Sequence, residues 1–302
     1  MLRKLTLALA IAGLMATTTQ AQTASGETEK PVRVLASLPI TFGLGQILLK
    51  DSGVVLERAA AANLPGSRQT AYFTGRGAEA LRKLSTDADA VIGLRSIWPD
   101  DPLYPNARRS NIRIVEIDAA RPVDGSLPGI ALQAVQGADG LTSQPWLSSN
   151  NLGRMADVMA ADLVRLAPAA KPKVEANLST LKQQLLKLTA DSEASLAAAD
   201  NLSVVSLSTH FGYLISGLNL ELADKQVLGD DQWTPEALAK LTATLKDNDV
   251  ALVLDHRQPP EAVKTAIASA GSTLLVLTVD GEDPLAELQN NIRQVAQALT
   301  SR

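Results

Sequence analysis

The chain has 302 residues, a formal net charge of −4, 46% hydrophobic and 20% charged residues, and no cysteine. These values are ordinary for a folded protein and wrong for a disordered one. They exclude disulfides, thiolate metal sites and a cysteine nucleophile, and they argue against nucleic acid or an anionic membrane as the main partner.

Arg3 and Lys4, the apolar run Leu5 to Met15 and the small residues to Ala21 follow the order of a secretory signal, with cleavage expected after Ala21. The apolar run is too short to span a bilayer of roughly 30 Å, and no cysteine follows it to carry a lipid. A periplasmic location is expected. Loss of Arg3 and Lys4 takes Lys+Arg from 28 to 26 against 32 Asp+Glu, moving the net charge from −4 to −6. Residues 22–30 read as a disordered polar leader.

Val32 to Ser37 is a β-branched run bounded by Pro31 and Pro39, hence a strand. Thr41 to Lys50 has helical spacing and stops at Asp51-Ser52-Gly53, and Leu64-Pro65-Gly66 is a turn signal. Ala78 to Leu84 reads as a helix, Ala90 to Gly93 as a buried strand and Asn111 to Asp118 as a further strand. Leu152 to Leu166 is an amphipathic helix ending at Pro168. From about Lys171 to Ala199, Val174, Leu178, Leu181, Leu185 and Leu188 share one face of a helix roughly 40 Å long. Alternation then resumes: strands at Leu202–Leu207, Val250–Leu254 and Leu274–Thr278, with helices at Thr234–Leu245, Pro260–Ala270 and Pro284–Leu299. The fold class is α/β: two lobes, each with a mostly parallel sheet, joined by one long rigid helix. The expected divisions are 31–150, a helical brace at 151–200, and 201–302.

No phosphate-binding loop, zinc-protease helix or serine elbow occurs. Gly75-Arg76-Gly77 reads as a plain entry into a helix. The two histidines, His210 and His256, each follow a predicted strand, where ligands of open α/β sheets collect. His210 is the functional candidate, and His256 reads as a loop histidine. Among the acids, Asp280 is the ligand candidate, Asp283 the cap of the last helix, and Asp230 and Asp231 lie in a loop. Ser206 and Ser208 lie near His210, but no oxyanion motif accompanies them, so a hydrolase is disfavoured and no catalytic residue is assigned.

The order of elements resembles the periplasmic solute-binding proteins of zinc and manganese ABC importers. The opening Lys30 to Ser37 is similar to that family's first strand. Pro65-Gly66-Ser67-Arg68-Gln69-Thr70-Ala71-Tyr72 is similar to its turn before the first metal histidine. Thr142 to Ser149, with Trp146, is similar to its tryptophan box; Ser208 to Tyr213 to its strand-then-histidine segment; and Thr278-Val279-Asp280 to its late strand. The resemblance implies a solute, zinc or manganese, held between the lobes, no organic cofactor, a permease partner in the inner membrane, and a monomer. It places the first two metal histidines on Thr70 and Gln144, and leaves ligand chemistry at His210 and Asp280. The family's histidine-rich acidic loop has no counterpart between Ile130 and Leu141. Two histidines cannot build a three-histidine site in a monomer. Two readings of the cleft follow. In one, His210 and Asp280 hold a divalent metal with Gln144, Asp230 or Asp231, and water; so oxygen-rich a set suits manganese or weakly held zinc. In the other, metal binding has been lost and Thr70, Gln144, His210, Tyr72 and Trp146 take an organic ligand or a metal chelate, or the protein serves to bind a partner.

Overall fold

Alternate residues of four short strands divide between the two faces of two sheets. In a computed structural model, which describes residues 30–133 and 140–301, Val34 and Ala36 of β1 (Arg33–Ala36) enter one apolar cluster and Leu35 enters another. Val204 of β5 (Ser203–Ser206) joins the first of these clusters, whereas Val205 joins a third. That is the period of two of a pleated strand. Both faces are therefore covered, as parallel sheets require. The expected signal at 1–21, most of the leader at 22–30 and residues 134–139 lie outside the described residues.

The first lobe runs β1, α1 (Pro39–Leu49), β2 (Val55–Arg58), α2 (Gly66–Thr74), α3 (Ala78–Thr86), β3 (Ala90–Gly93), α4 (Leu103–Ala107) and β4 (Val115–Asp118). A short turn of helix, α5 (Gly140–Ser143), leads to α6 (Ser149–Leu166) and the long α7 (Lys171–Leu196). The second lobe runs β5, α8 (Gly212–Gly217), β6 (Glu221–Lys225), α9 (Pro235–Asp247), β7 (Leu252–Asp255), α10 (Glu261–Ser269), β8 (Thr273–Val276) and α11 (Pro284–Thr300). The two sheets have the same plan, β2-β1-β3-β4 and β6-β5-β7-β8, with every pairing parallel. This is the two-lobed α/β fold expected from the sequence.

The largest cluster joins the lobes through α6, α7 and α11. At 26 residues, or about 39 Å, α7 packs against α1, α6 and α11. Asn177 on α7 donates to the carbonyls of Leu48 (2.9 Å) and Lys50 (2.8 Å), satisfying groups left open where α1 ends. Asp283 caps α11 by accepting from the Ala286 amide at 2.9 Å, as its sequence position suggests. Among the described residues no helix is long and apolar enough to cross a membrane.

The lobes also meet at Gly43 of α1. A Cβ there would lie 2.2 Å from the Glu282 carbonyl oxygen and 2.6 Å from Pro284 Cδ. Gly43→Ala is therefore expected to lose about 1–3 kcal/mol, read as a lower urea midpoint. An unchanged midpoint would show that the loop before α11 yields freely.

Candidate functional site

Serine chemistry fixes the turn that presents His210. Beyond β5, the Ser206 hydroxyl donates to the Ser208 carbonyl at 2.8 Å, and the His210 amide donates to Ser208 Oγ at 3.2 Å. Beyond the neighbouring β7, buried Asp255 accepts from the His256 amide at 2.7 Å. Its Oδ1 also lies 3.2 Å from His256 Nδ1, close enough for an ionic contact but off the line of a hydrogen bond. Because β5 and β7 are adjacent, the residues just past their ends meet. The imidazoles of His210 and His256 stand edge to face, with centroids 4.7 Å apart at 71°.

Two residues in left-handed backbone conformations complete the group: Gln144 (φ 45°), after α5, and Asp280 (φ 62°), after β8. Such conformations are costly for residues other than glycine and persist only where their surroundings hold them. Here Gln144 Nε2 donates to Asp280 Oδ1 at 2.9 Å. Gln144 is fully buried, and its Oε1 has no partner; nor does Nδ1 of His210.

Burial, reinforced by the neighbouring His256, lowers the His210 pKa to about 4; a hydrogen bond with the Thr142 backbone and the charge of Asp255 oppose the shift. His210 is thus neutral at pH 7 and competent as a ligand. Asp280 is exposed as a whole residue, yet the protein crowds its carboxyl. That desolvation raises its pKa, against the pull of His256.

His210 and Asp280 line one cavity of about 420 Å³, with Leu38 and Trp98 from beyond the ends of β1 and β3. In each sheet the connections leave in opposite directions at one pair of strands, β1/β3 and β5/β7, and ligands of such sheets bind at those points. The other sequence candidates are placed elsewhere. Thr70 is exposed on α2, where the buried side chain is its neighbour Gln69, bonded to the Ser37 carbonyl at 3.1 Å. Tyr72 sits edge-on to Phe73. Trp146 is in the core, and exposed Asp230 pairs with Arg257 at 3.1 Å, with Asp231 exposed beside it. The described lining of the cavity includes none of these. Among the described residues no three His, Asp or Glu side chains stand close enough together to hold a metal ion. His256, which the sequence left as a loop histidine, is the residue added to the group. The adjacency of β5 and β7 is the signal that would have found it.

Two matched parallel sheets, a bracing helix and a cavity lined beyond the strand ends of both sheets are the architecture of a two-lobed solute-binding protein. The family described as zinc-uptake complex component A, periplasmic, matches residues 116–301, and the chain belongs to that family. Similar solved structures include an FpvC mutant from Pseudomonas aeruginosa (21% identity, TM-score 0.70, covering 90% of this chain and 100% of that one). A zinc-bound deletion mutant of ZnuA matches at 18% identity and TM-score 0.67, covering 90% and 99%. Zn(II)-bound AdcA from Streptococcus pneumoniae matches at 17% and 0.67, covering 89% of this chain and 58% of AdcA. At these identities the likeness establishes the fold. No curated protein matches the sequence.

Proposed function

We propose that the protein, exported to the periplasm by a signal cleaved after Ala21, captures a divalent metal ion between lobes at 31–150 and 201–302 and delivers it to an ABC permease in the inner membrane. The observation that carries this reading is the convergence of His210 and Asp280 at one inter-lobe cavity, with Gln144 bonded to Asp280 behind it. Membership of a periplasmic zinc-uptake family supports it, as do similar folds solved with zinc, manganese or nickel. The donors suit a cation: a neutral imidazole, a carboxylate and a buried amide oxygen without a partner. Among the described residues no three His, Asp or Glu side chains form a ready-made cage, so an ion held here draws on the amide oxygen, on water or on side-chain movement. The hydroxyls of Ser206 and Ser208 are committed to the turn at His210, which supports binding rather than hydrolysis.

A second reading has its own observation. A cavity of about 420 Å³ with Leu38, Leu64, Trp98 and Leu141 in its wall has the size and apolar character of a small-molecule pocket. It favours a metal carried in a small organic complex, or an organic ligand.

Thermal melting of chelator-stripped protein with zinc, manganese, iron(II), cobalt or nickel separates these readings. A binder gains about 2.7 kcal/mol at a ligand concentration 100 times Kd. The expected result is a concentration-dependent rise for at least one metal, lost in His210→Ala. No rise with any metal would turn the search to complexes and organic ligands. A protein stabilised by none of them would be a partner-binding member of the family.

A further inference from the structure

We propose that His256 is the second imidazole of the cation site, and that it turns the site toward nickel and zinc and away from manganese. The inference rests on the metal-capture reading above. It supplies what the sequence lacks at Thr70 and Gln144, from a histidine that the sequence reads as a loop residue.

The first argument is geometric. Nitrogen ligands sit about 2.0–2.1 Å from such an ion, and a ring centre lies roughly 1 Å behind its nitrogen. Two imidazoles sharing one tetrahedral ion therefore have centroids roughly 5 Å apart. The rings of His210 and His256 are 4.7 Å apart, near that separation; with Asp280 they do not yet form a three-ligand cluster, so the proposal requires their side chains to turn toward a shared ion.

The second argument lies behind the ring. Metal-binding histidines almost always set one ring nitrogen against a carboxylate, a backbone carbonyl or water, which fixes the tautomer and raises the basicity of the other. Asp255 is buried, and its Oδ1 lies 3.2 Å from His256 Nδ1. Turning that contact into a hydrogen bond needs only a change of angle, and Nε2 is then the nitrogen left to bind.

The third argument is the set of unspent donors. Nδ1 of His210 and Oε1 of Gln144 are buried without partners, a state that costs free energy unless something relieves it. Asp280 gives Oδ1 to Gln144 and keeps its other oxygen. With His256 the set becomes two imidazoles, a carboxylate and an amide oxygen. Two nitrogens favour the later first-row ions, whereas an oxygen-rich set suits manganese. The alternative is that the two rings merely pack on each other. His256 would then be replaceable without effect on any metal.

Competition titrations with nickel, zinc and manganese on the chelator-stripped protein test this, with His256→Ala, His256→Gln and Asp255→Asn alongside. Loss of an orienting carboxylate typically costs 10–100-fold in affinity, and loss of a ligand at least as much. Both His256 variants are expected to bind nickel and zinc at least ~10-fold more weakly, with manganese changed far less. Asp255→Asn should shift affinities in the same direction by a smaller factor. X-ray absorption of the nickel-loaded protein is expected to count two imidazoles in the wild type and one in His256→Gln. Circular dichroism melts confirm that each variant is folded. If the wild type binds metal through a single imidazole, or binds nickel no more tightly than His256→Gln, the assignment of His256 falls while metal capture stands. If the wild type binds none of the three metals, the assignment of His256 falls, and metal capture falls with it when iron(II) and cobalt also fail to raise the melting temperature.

Discussion

Trp146→Ala should destabilise the protein by about 3–5 kcal/mol and lower its melting temperature by on the order of 10 °C. Trp146 is only 2% exposed and belongs to the cluster that joins the two lobes. Truncation removes a large apolar side chain and leaves a void that close-packed neighbours fill only in part. The site would feel the loss as well. Trp146 follows Gln144 by two residues, in a turn where the Leu147 amide donates to the Gln144 carbonyl at 3.0 Å. That turn holds Gln144 in its left-handed conformation and keeps its amide against Asp280. Calorimetry with and without ligand checks the point. A variant that melts like the wild type but binds its solute poorly would make Trp146 a wall of the cleft rather than part of the core.

Glu287→Gln should stabilise the protein at pH 8 and do so far less at pH 5. Glu287 is buried on α11 and accepts from the Gly281 amide at 3.0 Å, directly beneath the loop that carries Asp280. Burial raises its pKa to about 7, aided by the charge of Asp280 and opposed by the Gly281 amide and the Thr278 side chain. An unfolded glutamate titrates near 4.3. Between these values the native state holds a proton that the unfolded state has released. The stabilisation is complete below pH ~4.3 and is lost as pH rises through about 7. The shift corresponds to about 4 kcal/mol at most. Glutamine keeps the acceptor for Gly281 and cannot ionise. Urea unfolding of the metal-free protein at pH 5 and pH 8 should show the wild type losing ground to the variant on going to the higher pH. Parallel profiles would mean that Glu287 ionises without cost.

The parts of the fold legible in the sequence are those whose environment is uniform. The central strands β1, β3, β5 and β7 are nearly all buried and read as apolar runs. The long α7 carries its pattern over many turns, so its limits differ only by a few residues from the sequence reading. Two of the four edge strands were missed: β6 is Glu-Leu-Ala-Asp-Lys and mostly exposed, and β2 lies half-buried at the other sheet's edge. At an edge, pairing with one neighbour decides the structure, and side-chain pattern carries little of it. Pro65-Gly66 reads as a turn, yet α2 begins at Gly66, because Pro65 there sets the entry and Gln69 and Phe73 anchor one face. The strand expected from Asn111 starts only at Val115, where pairing with Ala90 begins; Ile112 stays 76% exposed in the preceding turn. In the site, His210 and Asp280 were legible because each ends a recognisable strand. The contact between His210 and His256 was not, since it depends on which strands are neighbours in the sheet, and the sequence does not state that order.

The three-way packing of α1, α7 and α11 has a consequence for how the chain is made. Among the described helices synthesis delivers α1 first and α11 last, yet each completes the surface on which the other rests. Until residues beyond Pro284 emerge, α1 lacks part of its final cover, although Leu44 and Leu48 on it are fully buried in the finished protein. A nascent chain can form its first sheet early, since β1 to β4 come from contiguous sequence. It still presents an adhesive stripe until its final helix arrives. Chaperone capture during synthesis should therefore be drawn to this first helix and end with the release of the C-terminal residues.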